Sequence, residues 1–170
     1  MTRPPVQKNQ EIELMIDSLT REGMGVGRAE GYALFVHGAL PGERVRARVE
    51  RVEKRYGYAR TLAVVEESPD RVKSPCGAYA SCGGCALQHL SYDGQLRWKR
   101  RWVEDSFARI GGMEVRVAPV LGMDKTWEYR NKAVYPVRKG PEGKPLIGFF
   151  APRSHRVVDI NSCGIQRPEA

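Results

Sequence analysis

The chain has 170 residues, of which 41% are hydrophobic and 28% are charged, a composition typical of a folded protein and not of a disordered one. No apolar run is long enough to cross a membrane, and residues 1–10 lack the apolar core of a signal peptide. We therefore expect a cytoplasmic protein without a membrane partner, in which the four cysteines stay reduced.

Positive charge is concentrated in the second part of the sequence. The net charge is +8: residues 1–72 hold 12 Lys/Arg and 11 Asp/Glu, whereas residues 73–170 hold 16 and 9. Each phosphate contact of a basic surface releases counterions, so such a surface suits a polyanion. Charge alone favours a nucleic-acid partner over a surface that is basic without a function.

The first part of the chain predicts a small all-β barrel. Apolar residues recur with the two-residue period of strands, and Gly- and Pro-containing turns separate these stretches. The predicted strands of residues 11–66 are the segment around Ile12, Leu14 and Ile16, then 32–36, 43–52 and 58–65. Several short strands at this spacing are typical of a closed barrel.

The predicted strand 43–52 has one apolar and one basic face. Val45, Ala47 and Val49 alternate with a basic set made of Arg44, Arg46 and Arg48. Arginines on a strand face are usually only solvated, but on a small barrel they can also follow a nucleic-acid backbone. The sequence leaves both interpretations open.

Glycines at 23, 25 and 27 make residues 22–28 a predicted flexible turn. A Gly-rich loop that holds phosphate lies between a strand and a helix, and here another strand follows. A hairpin loop of the barrel is therefore favoured over a nucleotide-binding loop.

A domain boundary is predicted near residue 70, where Glu67-Ser68-Pro69-Asp70 interrupts the pattern. The two domains are thus expected at 1–70 and 71–170. A basic helix is predicted over 91–110, with Ser91 as N-cap and an apolar face of Leu96, Val103, Phe107 and Ile110. Trp98 and Trp102 are expected to pack. Further strands are predicted at 115–121, 129–137, 146–150 and 156–160, which makes the second domain α+β with an antiparallel sheet.

Four cysteines form the most specific pattern of the chain. Cys76, Cys82 and Cys85 have the spacing C-x5-C-x2-C, and Cys163 follows after 77 intervening residues. Three close thiolates on a Gly-containing loop and one remote thiolate suit an iron–sulfur cubane. Zinc remains about equally compatible with the spacing, although structural zinc sites usually pair two short knuckles, and a disulfide is disfavoured. His89 is expected to pack or to form a hydrogen bond.

Motifs along nearly the whole chain resemble one family. The cysteine segment continues as Cys85-x2-Gln88-His89, and the later motifs are Tyr92-x2-Gln95-Leu96-x2-Lys99, Tyr129-Arg130-Asn131-Lys132 and Cys163-x-Ile165-Gln166. This set resembles the bacterial RNA uracil-5-methyltransferase family, especially its members that modify 23S rRNA. The barrel resembles a TRAM domain, an OB-like barrel, through Gly23-x-Gly25-x-Gly27-Arg28, Phe35-Val36 and Leu40-Pro41-Gly42-Glu43.

The resemblance implies that the four cysteines hold a [4Fe–4S] cluster, and it favours the cluster over zinc. It also implies that the parent enzyme transfers a methyl group from S-adenosylmethionine to C5 of a uridine during rRNA processing. In that family a Rossmann-like domain carries the Gly-rich cofactor loop and a nucleophilic cysteine.

Neither of these catalytic parts is recognisable in this sequence. No strand–Gly-loop–helix unit is present, and all four cysteines match cluster ligands. We therefore expect the N-terminal part of the enzyme, truncated before the methyltransferase domain. It would have no catalytic or S-adenosylmethionine-binding residue and would be inactive alone.

The expected partner is RNA, in particular ribosomal RNA, and no obligate protein partner is evident. Basic grooves and aromatic faces grip single-stranded RNA. The predicted contacts are Arg130, Lys132 and Arg138 on a sheet strand, Tyr129 and Tyr135 nearby, and, as second choices, Arg44, Arg46 and Arg48. The alternative function is a free-standing zinc- or cluster-binding RNA-binding module without catalysis. Whether a cluster would be structural or redox-active stays open.

Overall fold

The computed structural model describes residues 3–169. The chain forms two compact units. The barrel unit comprises the chain up to Val72 together with His89–Val120, and the cysteine unit comprises Lys73–Gln88 and the chain from Leu121 onwards. No helix among the described residues is long and apolar enough to span a bilayer.

Five strands close into a barrel in the order β1-β2-β3-β5-β4, which confirms the predicted small barrel. Neighbouring strands are antiparallel except β3 and β5, which run parallel. The strands are β1 (Glu11–Leu19), β2 (Met24–Ala29), β3 (Tyr32–His37), β4 (Arg44–Val52) and β5 (Tyr56–Glu66).

The barrel core is built by strand alternation. Val45, Ala47 and Val49 of β4 are fully buried, as are Leu34 and Val36 of β3. Successive side chains of a strand point to opposite faces, so the residues between them lie on the outside of the barrel. The predicted apolar face of β4 is confirmed.

Most of the glycine-rich stretch is a strand: Glu22 and Gly23 lie in the turn after β1, but residues 24–28 belong to β2, so their prediction as a flexible turn is wrong. β2 begins at Met24 and pairs with β1, with Gly27 opposite Ile16. A Cβ atom on Gly25 would lie 2.8 Å from the carbonyl oxygen of Ala39, and one on Gly27 would collide with the carbonyl oxygen of Met15. These glycines therefore permit close backbone approach, and flexibility is not their role.

The predicted helix is confirmed as α1 (Tyr92–Arg109). The Ser91 hydroxyl accepts a hydrogen bond from the Gly94 N–H at 3.1 Å, as an N-cap residue does. The indole N–H of half-buried Trp102 donates to the Leu19 carbonyl at 2.7 Å and so ties the helix to the end of β1. Arg21 also donates to the Ser106 hydroxyl at 2.7 Å.

The predicted apolar face of α1 is not a buried face. Val103 and Phe107 are each more than 40% exposed, and Ile110 is 87% exposed. The helix contacts the barrel through Trp102 and Ser106 instead, and Gly94 is the buried residue of the described helix. Helical periodicity identifies the apolar face of α1 but does not show which face of the helix packs on the barrel.

The position of α1 differs from the predicted grouping of residues 71–170. The helix belongs by its contacts to the barrel unit. Its beginning is tied to the end of the barrel segment, because the Asp70 carboxylate accepts hydrogen bonds from Ser91 and Arg97. The Arg97 guanidinium, which donates one of these bonds, lowers the pKa of Asp70 below its usual value. The predicted boundary near residue 70 stays a prediction.

The cysteine unit contains a three-stranded antiparallel sheet in the order β6-β7-β8, which confirms the predicted sheet type. Its strands are β6 (Val137–Lys139), β7 (Pro145–Phe150) and β8 (Val157–Asp159), with a 3-10 turn at Pro141–Gly143.

Two predicted strands are absent from the described structure. Residues 115–121 form no strand, and of residues 129–137 only Val137 belongs to one. Leu121 is 96% exposed and Val134 is 75% exposed, so these alternating apolar residues have no sheet to cover. Alternation predicts a strand only where a partner strand can bury one face.

One buried carboxylate organises the end of the barrel unit. Glu43 is fully buried and accepts a hydrogen bond from the Leu40 N–H at 2.8 Å. The Arg71 guanidinium binds both oxygens of this carboxylate, with Nη2 at 2.9 Å from Oε2. Arg71 also donates to the Gly38 carbonyl at 2.8 Å. The pair joins the turn before β4 to the segment that follows β5.

Removing Arg71 tests this arrangement. Arg71→Gln leaves the buried Glu43 carboxylate without its cation, which should lower the free energy of unfolding by about 3–5 kcal/mol. The matched control Arg44→Gln removes an exposed pair with Glu66 and should cost at most about 1 kcal/mol. Urea unfolding followed by circular dichroism measures both. Equal stability of the two variants would contradict a central role for the Glu43–Arg71 pair.

Candidate metal centre and nucleic-acid surfaces

The four thiols lie around one pocket of the cysteine unit. Cys76, Cys82, Cys85 and the remote Cys163 all line it, together with Gly84, Gln88, Phe149 and Ile165. All four are half-buried free thiols. The structure thus brings together the four residues that the sequence singled out. Their role as metal ligands stays a prediction.

Backbone hydrogen bonds shape the loop that carries three of the thiols. The Cys82 N–H donates to the Ala78 carbonyl at 2.8 Å, and the Gly83 N–H donates to the Phe150 carbonyl of β7 at 2.9 Å. A Cβ atom on Gly83 would lie 2.7 Å from that same carbonyl oxygen. The Gly84 N–H lies 3.4 Å from the Cys82 sulfur. Glycine at 83 lets the loop pack on the sheet, and the N–H of residue 84 is aimed at sulfur.

The segment around Cys163 is held by a second set of backbone contacts. The Gln166 N–H donates to the Cys163 carbonyl at 3.0 Å, and the Arg130 N–H donates to the Ile165 carbonyl at 2.8 Å. Ile165 is 5% exposed and anchors this turn. The chain around 130 and the chain around 165 therefore position the fourth thiol together.

The thiol of Cys85 is affected by burial and by several neighbouring groups. Burial raises its pKa, and the neighbouring Cys163 and Cys82 raise it further. A hydrogen bond to Gln88 and the charge of Arg130 act in the opposite direction. Gln88 is itself oriented by a hydrogen bond from the Ser74 hydroxyl at 2.5 Å. The Gln88 amide of the loop and the Arg130 guanidinium of another segment thus both act on this thiol.

The donor set of the pocket consists of four thiols with one backbone N–H beside them. Among residues 3–169, no three Cys, His, Asp or Glu side chains form a group that could hold one metal ion. The four cysteines line one pocket. The donor set, four thiols with a backbone N–H beside one of them, has the chemistry that thiolate-bound iron–sulfur clusters use.

His89 belongs to the barrel unit, where it is 7% exposed. Burial, and then the charge of Arg71, lower its pKa to about 4, so its imidazole is neutral near pH 7. This environment agrees with the packed role expected for it.

The predicted RNA contacts of the cysteine unit do not share one strand. Lys132 and Arg138 are exposed, and Arg138 lies in β6. Tyr129 is 49% exposed, and Arg130 is half-buried beside the thiols. The expectation of a common sheet strand for these residues is wrong, because residues 129–136 form no ladder beyond an isolated bridge from Arg130 to Gln166.

Tyr135 is a packed residue in the structure. Its ring centroid lies 4.9 Å from that of Phe149, and its hydroxyl donates to the Gln166 side chain. Burial raises the pKa of its phenol. Both ring and hydroxyl are thus engaged within the unit, so Tyr135 supports the site more readily than it stacks on a base.

The basic face of β4 is largely paired with acidic residues. Arg44 lies 3.0 Å from Glu66, and Arg48 lies 2.5 Å from Glu11. The hydrogen bond from Arg48 lowers the pKa of Glu11. The solvated interpretation is therefore favoured for Arg44 and Arg48. Arg46 is exposed on the same face.

Sequence reasoning missed an aromatic cluster on the barrel. Phe35, Tyr56 and Tyr58 lie within 5.7 Å of one another, measured between ring centroids. The signal was present, because Tyr56 and Tyr58 are two residues apart in one strand and therefore share a face. Their partner on β3 could not be found without the register.

Known proteins resemble both the barrel and nearly the whole chain. The TRAM domain family matches residues 5–62. The chain is 50% identical over 166 residues to an uncharacterized RNA methyltransferase of Halalkalibacterium halodurans, covering 97% of this chain and 36% of that protein. It is 48% identical over 164 residues to an uncharacterized RNA methyltransferase of Listeria monocytogenes, with 96% and 36% covered.

A solved structure is also similar to nearly the whole chain. The crystal structure of Pyrococcus abyssi tRNA (uracil-54, C5)-methyltransferase in complex with S-adenosyl-L-homocysteine is 32% identical. It superposes with a TM-score of 0.57, over 92% of this chain and 33% of that chain. This chain spans about a third of the length of the relatives it matches. The resemblance found in the sequence is confirmed: residues 5–62 match the TRAM domain family, and nearly the whole chain is similar to part of proteins named RNA methyltransferases.

Proposed function

We propose that this chain is the RNA-binding, [4Fe–4S]-binding part of an S-adenosylmethionine-dependent RNA (uracil-C5)-methyltransferase. The observation that carries the proposal is the set of four thiols around one pocket, in a chain related to RNA methyltransferases over nearly its whole length. The proposed target is a uridine of 23S ribosomal RNA, and the proposed compartment is the cytoplasm.

Support for the reaction comes from the relatives. The Pyrococcus abyssi neighbour is named as a uracil C5-methyltransferase, and S-adenosyl-L-homocysteine is what remains of S-adenosylmethionine after methyl transfer. Support for ribosomal RNA comes from the Cys-Gly-Gly-Cys-x2-Gln-His motif, whose resemblance is to members that modify rRNA.

The proposed ligands of the cluster are Cys76, Cys82, Cys85 and Cys163. Each thiolate of a cubane binds a different iron, so its four ligands surround a space, whereas the ligands of zinc meet at one ion. Four cysteines that line one pocket support a shared thiolate site, and the resemblance to the methyltransferase family favours the cluster over zinc in it. The Gly84 N–H beside sulfur would stabilise the negative charge of the bound thiolates.

The proposed role of the cluster is structural. Cys163 is distant in sequence from the loop that carries the other three thiols, so shared ligation would cross-link the two segments. Closing a long loop constrains the unfolded chain, and the binding energy of a metal site becomes folding energy. The cluster would thereby hold the exposed Lys132 and Arg138 on a fixed framework.

The proposed catalytic residues belong to another part of the parent protein. The chain contains four cysteines, and all four line the pocket, so none is left over as the thiolate that attacks the base. The chain would contribute by gripping RNA while the target base is exposed from its stack.

The identity of the metal is the first test. Protein prepared anaerobically from iron-replete cells should be brown, with broad absorption near about 400 nm and about four iron and four sulfide per chain. Zinc without iron in such material would contradict the proposal. Zinc in aerobic material would not, because a site that has lost its cluster is a thiolate site that zinc accepts.

The structural role predicts where the chain loosens when the fourth ligand is lost. Cys163→Ser should weaken cluster retention and reduce hydrogen-exchange protection in residues 73–88 and 121–169. The barrel at 11–66 contains none of the proposed ligands and should keep its protection. Ser162→Ala, at the exposed neighbouring position, is the matched control and should behave like wild type. Unchanged protection in Cys163→Ser despite complete cluster loss would point to a redox or sensing role instead.

RNA binding and methylation can be separated in one set of assays. The chain with S-adenosylmethionine and ribosomal RNA should bind without forming 5-methyluridine, and its affinity should fall as salt rises. Lys132→Gln should lower the slope of log K against log salt by about one, because one phosphate contact is lost. Arg44→Gln, at a position already paired with Glu66, should leave the slope unchanged. Methylation by this chain alone would refute the assignment of its cysteines.

A further inference from the structure

We propose that the outer face of the barrel around Phe35, Tyr56 and Tyr58 stacks on the bases of single-stranded RNA. These three residues are called the aromatic platform below. The inference rests on the proposed RNA binding and adds to it the site and the kind of RNA. None of the contacts expected from the sequence lies on the platform.

Strand alternation places the platform on the outside of the barrel. On β5, Tyr56 and Tyr58 flank Gly57, which is buried. On β3, Phe35 lies between Leu34 and Val36, and both are fully buried in the core. Phe35 is opposite Tyr58 in the parallel pairing of β3 with β5. The three rings therefore project from the same outer face of two adjacent strands.

The rings form one continuous aromatic surface. The centroid of Phe35 lies 5.6 Å from those of Tyr56 and Tyr58, and the two tyrosines are 5.7 Å apart. Tyr56 is 38% exposed, and Phe35 and Tyr58 are half-buried. Large aromatic residues usually supply core or interface contacts, so three of them on an outer barrel face mark a surface that a partner can cover.

The charge around the platform favours a polyanion as that partner. Residues 51–60, which include Tyr56 and Tyr58, hold four Lys/Arg and one Glu. The Arg51 guanidinium lies 5.8 Å from the ring centroid of Tyr58, and exposed Lys54 and Arg55 directly precede Tyr56. Alternating aromatic and cationic groups are the pattern with which small barrels hold single strands: bases stack on the rings while phosphates meet the cations.

Mutual support of the strands would explain the rings equally well on geometry alone. Cross-strand aromatic pairs stabilise sheets, and such a role would change stability without changing affinity for RNA. Arg51 also pairs with Glu53, and Arg60 lies 3.5 Å from Glu50. RNA binding by charge alone could therefore draw on only some of these basic side chains. An experiment must therefore separate stacking from both stability and charge.

The test measures binding of the full chain to a fluorescein-labelled oligouridine of about 12 nucleotides, a length within the site size of small barrels. Fluorescence anisotropy is recorded at several salt concentrations. Tyr56→Ala should lower affinity about fivefold or more at every salt, because one stacked base is lost. The salt slope should not change, because no phosphate contact is removed. Tyr56→Phe keeps the ring and should bind like wild type.

The matched control is Phe107→Ala. Phe107 has nearly the same exposure, 41%, and lies on α1, away from the platform residues in sequence. Its replacement should leave affinity unchanged. Thermal unfolding followed by circular dichroism verifies that the variants are folded. A 5-iodouridine-substituted oligonucleotide, cross-linked by light to wild-type protein, should attach to the platform; this readout requires no variant.

The outcomes distinguish this inference from the function on which it rests. Absence of binding by wild-type protein would refute the proposed RNA binding itself. Salt-dependent binding that Tyr56→Ala leaves intact, or cross-links confined to residues outside the platform, would overturn the platform alone. Equal affinity for a duplex of the same sequence would also overturn it, because paired and stacked bases are not available to protein rings.

Discussion

The buried carboxylate of Glu43 is the contact around which the barrel unit is organised. It receives the Leu40 N–H from the turn before β4 and the Arg71 guanidinium from the segment after β5. Arg71 is also bridged to Leu90, and the Val72 N–H donates to the His89 carbonyl at 3.0 Å. The chain thus leaves the barrel unit and returns to it at one place, with the cysteine loop in between. An ion pair of this kind is costly to break because it leaves a buried charge.

The cysteine loop is held at its two ends by those contacts, and its three thiols share a pocket with the distant Cys163. Short backbone hydrogen bonds fold the loop locally, and the Gly83 contact with Phe150 sets it against β7. Cys163 is positioned by contacts outside this loop. These are the turn around Ile165 and the strand-like contact of Arg130 with that turn. In the proposed holoprotein the cluster would therefore cross-link the cysteine loop and the segment around Cys163, which are otherwise held only by short strands and turns. Small units with limited cores commonly depend on such a staple.

Sequence patterns predicted those parts of the fold in which local chemistry decides the outcome. Alternation along β4 and the Ser91 cap of α1 are correct because burial and capping depend on neighbouring residues. The stretch around Gly25 was misinterpreted because glycine suits both a turn and a close backbone contact, and only the register with β1 distinguishes them. The prediction of a strand at 115–121 is wrong because no partner strand pairs with these residues in the described structure. The four-cysteine set was recognisable from spacing, whereas the aromatic platform required the pairing of β3 with β5.

The basic and the aromatic residues would make two different kinds of contact with the proposed RNA partner. Net charge alone directs attention to residues 73–170, because the balance of residues 1–72 is 12 basic against 11 acidic residues. That balance conceals a local concentration, since Arg51 lies beside the Tyr58 ring and exposed Lys54 and Arg55 directly precede Tyr56. Phosphate contacts hold any RNA, and their strength depends on salt, whereas stacking requires an unpaired base. A uridine must leave its stack before its C5 can be modified, so a surface that prefers unpaired bases would bias binding towards RNA in which the target is already accessible.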